Sequence, residues 1–227
     1  MEQIKKNTVA VRNQIKATEN VQFDGSDRDD LRILFVGNSI TCHGIKPEIG
    51  WLNHWGMAAS KRENDYVHLC ISKIRETRPR AAFCICQAWQ WEADYKNGSA
   101  KQQLYEAARS FHADIIVMRV VENCAVDACD REIFIQEYDS LIRYLNPDGK
   151  AKVILTTGFW RHPADALIRE YAQDRKMQLC ELGDLGEQDE MKAIGQFAHE
   201  GVANHPGDLG MRMIAERICG AIQEAGI

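Results

Sequence analysis

The chain of 227 residues lacks several features, and each absence narrows what it can be. No run approaches the roughly 18 to 20 consecutive apolar residues of a membrane span, so no membrane partner is expected. The N-terminal segment MEQIKKNTVAVRNQIK has no apolar stretch of the secretory kind, so a cytoplasmic location is expected. Positive charge is also short. The formal net charge is −5 and no basic stripe appears, which argues against nucleic acid as a partner. Eight cysteines are present, but none falls in a C-x-x-C pair, since Cys84 and Cys86 form only C-x-C. Neither a structural zinc nor a disulfide framework is expected, and the thiols read as reduced and mostly buried. The patterns G-x-x-x-x-G-K-[ST] and G-x-G-x-x-G are missing, which weakens nucleotide readings. G-x-S-x-G is missing as well, because Thr41 stands where its second glycine would be. No internal repeat or low-complexity segment occurs.

What is present reads as one α/β domain behind an N-terminal appendage. Residues 2–19 have the spacing of a polar helix with a thin apolar stripe, and Asp24 to Asp30 are turn-rich, so residues 1–30 are taken as a helical extension and linker and 31–227 as the domain. Short apolar runs at 31–37, 81–86, 114–121, 151–157 and 177–182 read as strands. Helical spacing fills 65–78, 99–112, 130–145, 163–176 and 209–225 between and after them. This alternation implies βαβ units and a parallel sheet of about five strands covered on both faces.

The stretch LRILFVGNSIT at 31–41 organises the rest. An unbroken apolar run suits a strand buried on both faces, and Ser39 sits just past its end, where open α/β sheets bind ligands. A serine hydroxyl needs a base within hydrogen-bond reach and donors for the oxyanion that forms on attack. Of seven histidines, His205 stands out, in the turn NHPGDLGM immediately before the last helix. His199, Glu200 and His205 do not match a zinc helix, because the histidines are six apart and Gly201 and Pro206 disfavour a helix there. No metal or cofactor is expected.

GNSIT at 37–41, Asn123 after the third predicted strand and HPGDLG at 205–210 together resemble the SGNH hydrolases, also called the GDSL esterase and lipase family, in motif order over residues 31–227. The resemblance implies a three-layer α/β/α sandwich of flavodoxin-like kind and ester hydrolysis through a serine acyl-enzyme. It makes Ser39 the nucleophile and His205 the general base and then acid. Asn123 and the backbone amide of Ser39 become oxyanion donors, and a third amide comes from Gly98 or, in another register, Ala88.

The chain departs from the family pattern at two places. Val202 stands where the family carries an aspartate three residues before its histidine, so His205 is oriented by a backbone carbonyl near Val202 or by the side chain of Glu200 or Asp208. Val121 and Cys124 replace the glycine and acid that flank the family's asparagine. Asn38, His43, Trp51, Trp55, Trp89, Trp91 and Arg119 are cleft-wall candidates, the tryptophans as faces for a sugar or an acyl chain. Arg119, a charge within an apolar strand, needs Glu92, Glu122 or a substrate carboxylate as partner. The substrate expected is a small-molecule or carbohydrate ester with a short acyl group such as acetyl. The alternative, motivated by Val202 and Val121, is a catalytically reduced member that binds a glycan or small ligand. Nothing in the sequence speaks to oligomeric state.

Overall fold

A computed structural model describes residues 20–25, 31–127 and 130–226. The helix expected over 2–19 and most of the linker after it lie outside the described residues, as does Cys129. Among the described residues, six strands form one sheet: β1 (Val21–Asp24), β2 (Arg32–Gly37), β3 (Ala82–Gln87), β4 (Ile115–Arg119), β5 (Lys152–Thr156) and β6 (Gln178–Cys180), in the order β1-β3-β2-β4-β5-β6. The helices are α1 (Tyr66–Thr77), α2 (Trp89–Ala93), α3 (Glu106–Arg109), α4 (Arg131–Leu145), α5 (Asp165–Arg175), α6 (Glu200–Ala203) and α7 (Asp208–Glu224).

The strands from β2 to β6 are parallel, as their apolar runs predict, and their order is that of a flavodoxin-like sheet. Alternate residues face opposite layers. Ile33 and Phe35 of β2 pack with the α1 and α7 side, while Leu34 and Val36 pack with Trp91, Phe134, Tyr138 and Ile168 on the other. A strand with an apolar layer on each face has no position for a polar residue, which is why β2 reads as a continuous run.

Two expectations need correction. The appendage does not end at residue 30, because Val21–Asp24 is already in the sheet, paired antiparallel to β3 with Val21 opposite Cys86. Four residues with a single fully buried side chain carry little strand signal. The helix expected over 99–112 is instead a run of 3-10 turns at Tyr95–Tyr105 followed by the short α3. Seven cysteines are described, all as free thiols. No described helix is long and apolar enough to cross a membrane.

The topology creates one privileged place. From β2 the chain passes through α1 to β3 on one side, then crosses to β4 on the other, so a crevice opens beyond the carboxyl ends of β2 and β4.

Candidate active site

Ser39 stands at that crevice, on a turn whose local sequence explains its shape. The Asn38 carbonyl accepts from the amides of Thr41 and Cys42 at 2.9 and 3.0 Å, and its side-chain Oδ1 accepts from the Ile40 amide at 3.2 Å. The Ser39 carbonyl accepts from the Met57 amide at 2.8 Å, tying the turn to the following loop. Gly37 is required by close approach, since a Cβ there would fall onto the Thr41 hydroxyl, itself bonded to Tyr66 Oη at 2.7 Å.

His205 reaches the same crevice from the loop between α6 and α7. Its Nε2 lies 2.8 Å from Ser39 Oγ, and its Nδ1 lies 2.6 Å from the Gly201 carbonyl. That carbonyl is available because α6 lasts one turn. The His205 amide bonds the Val202 carbonyl, so Gly201 O, near a helix end, takes the imidazole instead. The loop is fastened at both sides of the histidine, with the Ala193 amide donating to the His205 carbonyl and the Gly207 amide to the Met191 carbonyl, each at 2.9 Å. Trp160 meets the imidazole edge-on, with ring centroids 5.3 Å apart. Burial holds the His205 pKa down to about 4, against the opposing pull of the Gly201 carbonyl.

An Nδ1 facing a carbonyl must carry the proton, which leaves the Nε2 lone pair toward Ser39. The pair therefore has the tautomer and distance of a nucleophile with its base. It opens into a cavity of about 640 Å³ whose lining includes His43, Ile49, Met57, Trp89, Asn123 and His199.

Beneath this cavity lies a buried polar floor. Asn38 is 1% exposed, and Glu92 and Arg119 are fully buried. Asn38 Nδ2 donates to Glu92 Oε1 at 2.9 Å and to Glu122 Oε2 at 2.5 Å, while its Oδ1 accepts from Arg119 Nη1 at 3.0 Å. Arg119 pairs with Glu122, Nη2 to Oε1 at 2.5 Å. Glu92 also accepts from the Val121 amide and from Asn123 Nδ2, both at 2.5 Å. Burial and the Glu122 charge push the Glu92 carboxyl up to about 7.

No family model and no curated protein sequence matches the chain. Solved structures do. A two-domain esterase active on acetylated mannans superposes with a TM-score of 0.57 at 18% identity, over 86% of this chain and 48% of that one. An acetyl xylan esterase gives 0.54 at 20% identity, over 85% of this chain and 100% of its own. A lipase/acylhydrolase from Enterococcus faecalis gives 0.56 at 13% identity, over 86% and 96%. The chain shares the fold of these esterases and of the acylhydrolase. It spans about half the length of the two-domain esterase.

On this fold, the residues singled out from sequence divide clearly. Ser39, His205 and Asn123 share one cavity. Gly98 does not join them. It is buried in the Tyr95–Tyr105 segment, where a Cβ would fall onto the Trp91 indole and lie 3.1 Å from Glu137 on α4. The Ala88 amide is engaged by the Gly37 carbonyl at 2.6 Å. The carbonyl that orients His205 belongs to Gly201, next to Val202. Val202 itself is buried against Trp51, Met57, Ala58 and Ala193. Glu200 is exposed. Asp208 accepts from the Ser60 amide and hydroxyl and from Asn64, holding the 60–64 loop to the start of α7.

Among the cleft-wall candidates, His43 and Trp89 line the cavity, and Trp89 is 48% exposed. Trp51 and Trp91 are fully buried core residues, and the Trp55 indole donates to the Ala59 carbonyl. Asn38 and Arg119 lie in the floor, where Arg119 Nη1 donates to Asn38 and Nη2 to Glu122 while its buried Nε has no partner among the described residues, so Glu122 is the carboxylate that Arg119 pairs with. Trp160 and Gly201 were not singled out. A backbone acceptor has no sequence signature, and Trp160 follows a strand end as many packing residues do.

Proposed function

We propose that the chain is a serine esterase that removes a short acyl group, acetyl foremost, from a carbohydrate or similar small substrate. The observation that carries this reading is the 2.8 Å contact between Ser39 Oγ and His205 Nε2, with Nδ1 bonded to the Gly201 carbonyl. His205 takes the Ser39 proton as Oγ attacks the ester carbonyl, and the carbonyl electrons move onto oxygen. The Ser39 amide and Asn123 Nδ2 donate to that oxyanion. Collapse expels the alcohol, which takes the proton from His205 and leaves an acyl-serine. Water, deprotonated by the same imidazole, attacks the acyl-serine, and collapse releases the acid as the imidazolium returns the proton to Ser39 Oγ.

A neutral carbonyl in place of the family's aspartate gives the imidazolium less stabilisation, consistent with a His205 pKa held at about 4. The base is therefore unprotonated and ready throughout the neutral range. The binding-only alternative drew on Val202 and Val121, and the Gly201 carbonyl behind His205 speaks against the first of these motives. The acetyl and carbohydrate parts of the proposal lean on fold neighbours that act on acetylated mannan and acetyl xylan, and on Trp89, whose exposed indole could stack on a sugar ring.

The test is release of acetate from acetylated oligosaccharides and from a short-chain chromogenic ester, by the wild type and by Ser39→Ala. Turnover by the wild type alone supports the proposal. Equal turnover by Ser39→Ala, or none by either, overturns it.

A further inference from the structure

We propose that Glu92 is a positioning residue that locks the side-chain amide of Asn123 with its N–H group toward the oxyanion site. The inference rests on the esterase reading of the same site and adds a residue to it.

The argument starts from what a carboxylate can do, which is only accept. Glu92 is fully buried on α2, and three donors converge on it: Asn38 Nδ2 and the Val121 amide on Oε1, and Asn123 Nδ2 on Oε2. An asparagine amide can ordinarily turn over and exchange its oxygen for its nitrogen. Facing a carboxylate, it cannot, because the carbonyl would meet a like-charged acceptor. Asn123 must therefore present nitrogen to Glu92. Its second Nδ2 hydrogen then serves the cavity that Asn123 shares with Ser39.

The same carboxylate holds Asn38, whose backbone and side chain shape the Ser39 turn. Glu92 thus couples the serine turn to the oxyanion donor from below. The groups facing it are Glu122 and Arg119 from β4 and the turn after it, Cys124 from that turn and Tyr105 from the 3-10 segment.

Glu92→Gln is the sharp variant, since it keeps shape and replaces one acceptor by a donor. Keeping Oε1 toward Asn38 and Val121 turns the new NH₂ against Asn123, which must then offer its carbonyl there and withdraw its donor from the oxyanion. Losing one such donor costs on the order of 10²- to 10³-fold in kcat. We expect that loss in Glu92→Gln with KM changed less than about threefold, a similar loss in Asn123→Ala, and a double variant no more than about threefold worse than either single one.

A pH profile adds a readout that leaves Glu92 in place. Protonated Glu92 can donate to the Asn123 carbonyl and release the lock, so the wild-type acid limb of kcat/KM should fall near pH 7, where Glu92 titrates. In Asn123→Ala that limb should disappear and the remaining one fall near pH 4, where His205 titrates.

Glu92→Gln with kcat within threefold of wild type, fully additive losses in the double variant, or the same acid limb in wild type and Asn123→Ala would each overturn the inference. If Glu92→Gln does not fold, the Asn123→Ala profile decides. A wild type active through Ser39 but insensitive in these tests removes the role of Glu92 alone. A wild type without Ser39-dependent turnover removes the esterase reading and this inference with it.

Discussion

Two histidines of this chain sit against acceptors of opposite kind. His68, at the start of α1, holds Nδ1 2.8 Å from both oxygens of Asp65, a fully buried carboxylate that also accepts from the amides of His68 and Gly56. By distance alone it is as good a histidine and aspartate pair as a catalytic triad requires. Yet its Nε2 is buried and faces no nucleophile, and Asp65 is the N-cap of α1. His205 has only the Gly201 carbonyl behind it, and in front of it stands Ser39. An imidazole becomes a base through what its outer nitrogen faces. The group behind it fixes tautomer and orientation, and a carbonyl suffices for that.

This contrast can be broken most sharply by exchanging the two sites' losses. His205→Ala should lower kcat by about 10²- to 10⁴-fold or more with the fold intact, while His68→Ala should leave kcat within about threefold, both measured as initial rates on a chromogenic ester. A large rate loss in His68→Ala would erase the distinction. Next in size is the attempt to give His205 the carboxylate it lacks. Val202→Asp places an acid among Trp51, Met57, Ala58 and Ala193, and should cost about 2–4 kcal/mol of stability in denaturant unfolding without raising kcat. A stable variant with a faster rate would mean that the carbonyl is a poor substitute.

Asp65→Ala removes the α1 cap and leaves the buried Gly56 amide without its acceptor. A loss of about 2 kcal/mol is expected, with kcat within about threefold. The smallest effect is at the cavity mouth. Trp89→Ala should raise KM a few-fold for an acetylated oligosaccharide and leave KM for a small chromogenic ester unchanged. An equal rise for both would assign Trp89 to the acyl side.

The sequence is legible where one residue type answers one physical demand. Leu31 to Val36 announces a strand covered on both faces. Ser39 after Gly37 and Asn38 announces a tight turn at its end, and His205 between Asn204 and Pro206 a loop able to return over it. It is illegible where the determinant is backbone or is assembled from distant turns. A backbone carbonyl near Val202 is expected to orient His205, but its assignment to Gly201 has no side chain to announce it. Glu92 shows only as a candidate partner for Arg119, because its three donors come from residues 38, 121 and 123. Gly98 misleads for a related reason: a glycine in the expected loop fits an oxyanion role, but here its missing Cβ makes room for the Trp91 indole. Trp51 and Trp91 carry the same message. Aromatic residues in loops beside a cleft can be core, and only packing separates them from Trp89.

The central claim, that Ser39 and His205 form a nucleophile and base pair, meets its most direct test in mass spectrometry after treatment with a fluorophosphonate. The account predicts one adduct, on Ser39, forming rapidly in the wild type, far more slowly in His205→Ala and at the wild-type rate in His68→Ala. No adduct in the wild type, an adduct on another residue, or equal rates in wild type and His205→Ala would contradict it.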